Sequence, residues 1–160
     1  MKTILKLVPF LFVFLLMSCG GKEEKYKPTY GKKKAVSKVD KIRASKKIDL
    51  VNKGIGPIKS IEFDEAINQE MATLGQGIFK KLCTACHRVE KKFIGPSPKG
   101  VLKRRTPEWV MNMILNPNEM VQKDPLAKAL LIEFNGSPMA NQNLSEEDAR
   151  AVLEYFRTLK

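Results

Sequence analysis

An all-α fold of about four helices is predicted for residues 63–160 by three observations. Phe63, Ile67, Met71, Leu74, Ile78 and Leu82 recur at three- and four-residue steps, the period that gathers apolar side chains on one helix face. Three later stretches carry helix starts, Thr106-Pro107-Glu108, Asp124-Pro125 and Ser145-Glu146-Glu147-Asp148. Each offers a side-chain oxygen to cap free amides, followed by proline or acid in the first turn. The third observation is Cys83-Thr84-Ala85-Cys86-His87, which places two thiols and an imidazole where the first helix ends.

What precedes the domain reads differently. Lys2 and Lys6 accompany an apolar run from Leu7 to Met17, interrupted by Pro9. The run is shorter than the ~20 residues that span a bilayer, and its order is that of a signal peptide. Residues 1–18 are therefore expected to be removed on export. Leu16-Met17-Ser18-Cys19-Gly20 resembles a bacterial lipobox, which implies that Cys19 is acylated and becomes the first mature residue. An ordinary signal peptide with an incidental cysteine is the alternative. The expected location is outside the cytoplasm, lipid-anchored to a bacterial membrane and facing the periplasm or the cell surface.

Residues 19–62 read as a Lys-rich flexible tether. The net charge of +12 is concentrated here: residues 22–62 hold thirteen Lys/Arg against five Asp/Glu, and residues 63–160 fourteen against twelve. Lys32-Lys33-Lys34, Lys46-Lys47, Pro28, Gly54, Gly56 and Pro57 interrupt any apolar period. Such a segment buries too little apolar surface to offset the entropy of ordering it. Only Ile55-Gly56-Pro57-Ile58 suggests a short arm against the domain. Nucleic-acid binding, the first thought for so basic a chain, lacks any supporting fold signature, with only Tyr26, Tyr30 and Phe63 near the lysines. The lysines instead suit a solvated tether that reaches a partner or lies along anionic lipid.

The first domain helix is expected over Asp64–Leu82, with Asp64 and Glu65 in its first turn and Gly77 as a possible break. It leads into C-x-x-C-H, the c-type haem attachment signature. Each thiol can add to a vinyl group of one porphyrin, and the adjacent imidazole then meets the iron. A zinc site would need a second pair of ligands, whereas Cys19 is the only other cysteine and His87 the only histidine. A redox dithiol would need a βαβ setting, and a Cys83–Cys86 disulfide would close too small a loop to stabilise much. Gly95-Pro96 marks a turn after the motif. A helix from Pro107 through Trp109, Val110, Met113 and Ile114 closes at Asn116-Pro117, and a short helix follows through Leu126, Leu130 and Leu131. Asn135-Gly136-Ser137-Pro138-Met139-Ala140 breaks the pattern before a last helix over Ala149–Leu159.

Gly75-x₃-Phe79-x₃-Cys83, the attachment site, Gly95-Pro96, Pro138-Met139 and Val152-x₂-Tyr155-Phe156 follow one another in the order found in class I c-type cytochromes. Residues 64–160 resemble that family, in a monohaem, lipoprotein form. The resemblance implies first and last helices crossing near Gly75 and Phe79, and one heme c held covalently by Cys83 and Cys86. It further implies His87 and Met139 as axial ligands, and Pro96 packed beside an imidazole held by a loop carbonyl. Met111 and Met113 sit on an amphipathic helix and read as core, and Met71 and Met120 lack the Pro-Met loop. Trp109 is a core residue or a donor to a haem propionate.

The implied function is that of an electron carrier rather than an enzyme, since His/Met ligation occupies both axial positions. A haem enzyme or gas sensor with a displaceable distal methionine is the alternative. Expected partners are a respiratory donor complex and a terminal reductase or oxidase, met by a monomer. Lys80, Lys81, Arg88, Lys91, Lys92, Lys99, Lys103, Arg104 and Arg105, opposed by Glu90, are expected to steer acidic partners or to form a solvated basic face.

Overall fold

Asn68, not Asp64, starts the first helix in the computed structural model, which describes residues 42–160. The signal-peptide and Cys19 expectations lie outside the described residues. Helix α1 covers Gln69–Ile78, and the Asn68 side chain caps it by accepting from the Met71 amide. Phe63 to Ile67 are not helical because they are captured by the last helix. The Phe63 ring lies beneath the Arg150 and Arg157 guanidinium groups, at 4.7 and 4.5 Å from its centroid. The Asn68 amide donates to Glu154 Oε1 at 2.9 Å. Gly77 leaves α1 unbroken, and the helix widens instead into a π turn over Phe79–Cys83.

A 3₁₀ turn at Val101–Lys103 precedes α2 (Pro107–Leu115), α3 (Pro117–Lys123), α4 (Pro125–Glu133) and α5 (Glu146–Thr158). Thr106, Asp124 and Ser145 cap α2, α4 and α5 with their side chains, as their sequence signatures predict. Pro117 ends one helix and supplies the first position of the next, because proline needs no amide partner there. Five α-helices and no strand occur among the described residues.

Helices α1 and α5 cross at Gly75. A Cβ there would stand 1.9 Å from the Ala151 carbonyl oxygen, so only glycine lets the two backbones approach this closely. Phe79 sits at the same crossing, its ring centroid 5.7 Å from those of both Tyr155 and Phe156. Glu154 is buried beside them; its Oε1 accepts from Arg157 at 2.6 Å and from the Asn68 amide, while Oε2 has only the Arg150 charge, 3.8 Å away.

Residues 42–62, expected to belong to a flexible tether, form a strap folded onto the domain. Ala44, Ile55, Ile58 and Ile61 pack against the core, the last part of the strap as the Ile55–Ile58 arm predicts, and polar pairs tie down the rest. Ser45 donates to Glu133 from both its amide and its hydroxyl, Asn52 Nδ2 donates to Asp124 at 2.6 Å, and the Thr106 hydroxyl donates to the Asn52 carbonyl. Asn112, fully buried, accepts from the Ile58 amide and donates to the carbonyls of Lys53 and Ile58. The Asn52 amide, and then that of Val51, hold the Asp49 carboxyl below its ordinary range. Composition predicts disorder here because it counts apolar burial, whereas side-chain amides and carboxylates pair with the strap's backbone.

Candidate haem site

The π turn delivers Cys83 to the wall of a cavity that also receives His87, Pro96 and Met139. The Cys86 and His87 amides both donate to the Cys83 carbonyl, closing the motif into a tight turn. Cys83 is half-buried and Cys86 exposed. Burial, and secondarily Cys86, pushes the Cys83 thiol up. The cavity contains about 1150 Å³ including its open mouth, and Phe79, Val110, Ile114, Leu130 and Phe156 supply apolar walls.

His87 Nδ1 lies 2.7 Å from the Pro96 carbonyl oxygen. A carbonyl only accepts, so Nδ1 carries the proton and Nε2 keeps its lone pair for a metal. The carbonyl is that of Pro96 itself. Gly95 was legible only as part of a turn, yet a Cβ there would lie 2.5 Å from His87 Cε1. Its amide donates to the Cys86 carbonyl at 2.8 Å. Glycine therefore allows this loop to lie flat across the imidazole. No periodicity signals such a role.

Among the methionines, Met120 is fully buried and accepts the Ile55 amide on its sulfur at 3.0 Å, which commits it to the strap. Met113 and Met139 line the cavity, Met113 from α2 and Met139 from the irregular chain between α4 and α5. Trp109 also lines it, but its indole N–H donates to Asp124 at 3.2 Å. A propionate is thus not its partner here.

The family profile described as Cytochrome c matches residues 72–160. The chain belongs to the cytochrome c family. A solved cytochrome c from Rhodothermus marinus is 46% identical, with a TM-score of 0.63, covering 65% of this chain and 89% of that one. An engineered cytochrome c from the same organism, solved bound to a carbene intermediate, is also 46% identical over the same shares, with a TM-score of 0.60. No curated protein matches the chain. As a cytochrome c, the chain binds one heme c covalently through its cysteines and is a haem-based electron carrier. Cys83 in the cavity wall with exposed Cys86 one turn on, an imidazole with a free Nε2 and an apolar lining fit that group.

The cytochrome's basic residues divide by environment. Arg105 is 3% exposed, donates to the Ala44 and Lys47 carbonyls and stacks 5.3 Å from the Trp109 ring. Arg104 donates to the carbonyls of Gly100 and Lys99. These two hold the strap and the 3₁₀ turn and are withdrawn from the expected basic surface. Lys99 pairs with Glu90 at 2.7 Å, Arg88 stacks on Phe93, and Lys80, Lys81, Lys91, Lys92 and Lys103 remain exposed.

Proposed function

We propose that this cytochrome c is a membrane-anchored monohaem carrier. Acylated Cys19 holds it after removal of residues 1–18, and it passes single electrons between a respiratory donor complex and a terminal reductase or oxidase outside the cytoplasm. The observation that carries the reading is one apolar cavity lined by both the His87 imidazole and the Met139 thioether. When bound, the haem would supply a one-electron Fe(III)/Fe(II) couple, and His87 and Met139 would be the residues that hold its iron and keep a reactant from it.

The protein's part is positioning and solvation. The Pro96 carbonyl holds the His87 ring plane and raises its basicity toward metal. Met139 is the softer ligand and favours the reduced state relative to a second histidine. Phe79, Val110 and Ile114 exclude water, which disfavours excess charge at the site. The exposed lysines beside the motif raise the encounter rate with acidic redox partners. A haem enzyme or gas sensor is the second reading. It is favoured by the placement of Met139 on irregular chain, where a ligand is more easily displaced than on a helix.

Redox titration of the holoprotein, Met139→His and Met113→Leu tests the ligand assignment. A large downward shift is expected for Met139→His alone. An unchanged potential in that variant removes Met139 from the ligand set.

A further inference from the structure

Four of the eight large apolar side chains left open among the described residues lie within ten positions: Ile42, Ile48, Leu50 and Val51, at 71, 66, 55 and 86% exposed. Their exposure follows from how the strap is tied down. Ala44 and Lys47 give carbonyls to Arg105, Ser45 holds Glu133, the Asp49 amide donates to the Arg104 carbonyl, and Asn52 holds Asp124. The inward positions are used for attachment, and the side chains between them turn out.

Cations alternate with these aliphatic groups. Arg43, Lys46 and Lys47 are exposed, and none takes part in an ion pair among the described residues. The acids nearby are engaged: Asp49 accepts from the Val51 and Asn52 amides, Glu133 from the Ser45 amide and hydroxyl, and buried Asp124 from Asn52. Branched aliphatics with free lysines are a poor match to a protein interface, whose core favours aromatic residues and methionine and whose composition is depleted in lysine. They suit a bilayer surface. Aliphatic groups enter the headgroup boundary while Lys and Arg stems snorkel to lipid phosphates.

Position along the chain points the same way. The strap is the first described stretch after Cys19, with 22 residues between Cys19 and Ile42, and residues 22–41 hold eight lysines against three acids. An anchor so near raises the effective concentration of a weak contact.

We propose that the outward edge of the strap, Ile42 to Val51, seats the domain on an anionic bilayer. This deepens the membrane-anchored reading without requiring acylation, because the edge has its own affinity for lipid.

The test uses mature holoprotein, in which Cys83 and Cys86 are consumed as thioethers. A nitroxide on Val51→Cys is compared with one on Ile132→Cys in α4, a position equally open but off the strap. Both are read by relaxation with a water-soluble nickel complex and with oxygen. On vesicles containing phosphatidylglycerol, the label at 51 is expected to lose nickel accessibility several-fold and gain oxygen accessibility. The label at 132 stays aqueous, and Lys46→Glu with Lys47→Glu returns position 51 to water. Position 51 as accessible as 132 on vesicles with which the protein floats overturns the proposal and leaves the acyl anchor standing. Shielding at 51 in protein that mass spectrometry finds acyl-free supports the proposal and removes the anchor.

Discussion

At Gly95 a single hydrogen atom in place of a methyl group lets the loop carrying the Pro96 carbonyl close on His87. Gly95→Ala is expected to displace the imidazole or the loop. The cost is about 1–3 kcal/mol of stability, the usual range for overpacking, together with a perturbed ferric spectrum. Thermal unfolding and optical spectra of the holoprotein check both. Cys83, Cys86 and His87 were legible because covalent attachment demands that spacing. The contribution of Gly95 was not, since a Gly-Pro pair is as well explained by a turn. Arg105 was misread for a related reason. A basic run gives no sign of which guanidinium will turn inward to bind carbonyls 58 and 61 positions away.

Elements were legible where their ends carry their own chemistry. The helices that open at Pro107, Pro125 and Glu146 begin where side-chain oxygens cap them. The start of α1 was missed by several residues because Phe63 fits the helical period but packs under two arginines of α5. Gly75→Val should cost about 3 kcal/mol or more, since the crossing with α5 has no room for added carbons; chemical denaturation measures it. Of the strap, the arm at Ile55–Ile58 was legible from its apolar pair, whereas residues 42–54 were not, because polar pairing holds much of that stretch. Asn112→Ala strands the Ile58 amide and two carbonyls. A loss of about 3 kcal/mol is expected, along with new proteolytic cleavage at Lys46, Lys47 or Lys53; mass mapping of the fragments checks the latter.

For the whole molecule, acid should open the turn that the Asp49 carboxyl closes within the strap. The Asp49 carboxyl is held below its ordinary range by the Asn52 and Val51 amides. Its contribution is therefore present above the unfolded carboxylate pKa of ~3.9 and disappears as pH falls through the lower folded value. NMR of the Asn52 amide against pH should show this change, and Asp49→Asn should flatten it. The class of fold was readable from five ordered motifs, whereas the apportioning of charge between strap and domain needed coordinates. The central claim is an iron ligated from both sides, by His87 and by Met139, and the most direct measurement is the optical spectrum of reduced holoprotein exposed to carbon monoxide at neutral pH. An unchanged Soret band is predicted. Prompt formation of a carbonyl adduct would contradict the carrier and place the chain among haem proteins with an open site.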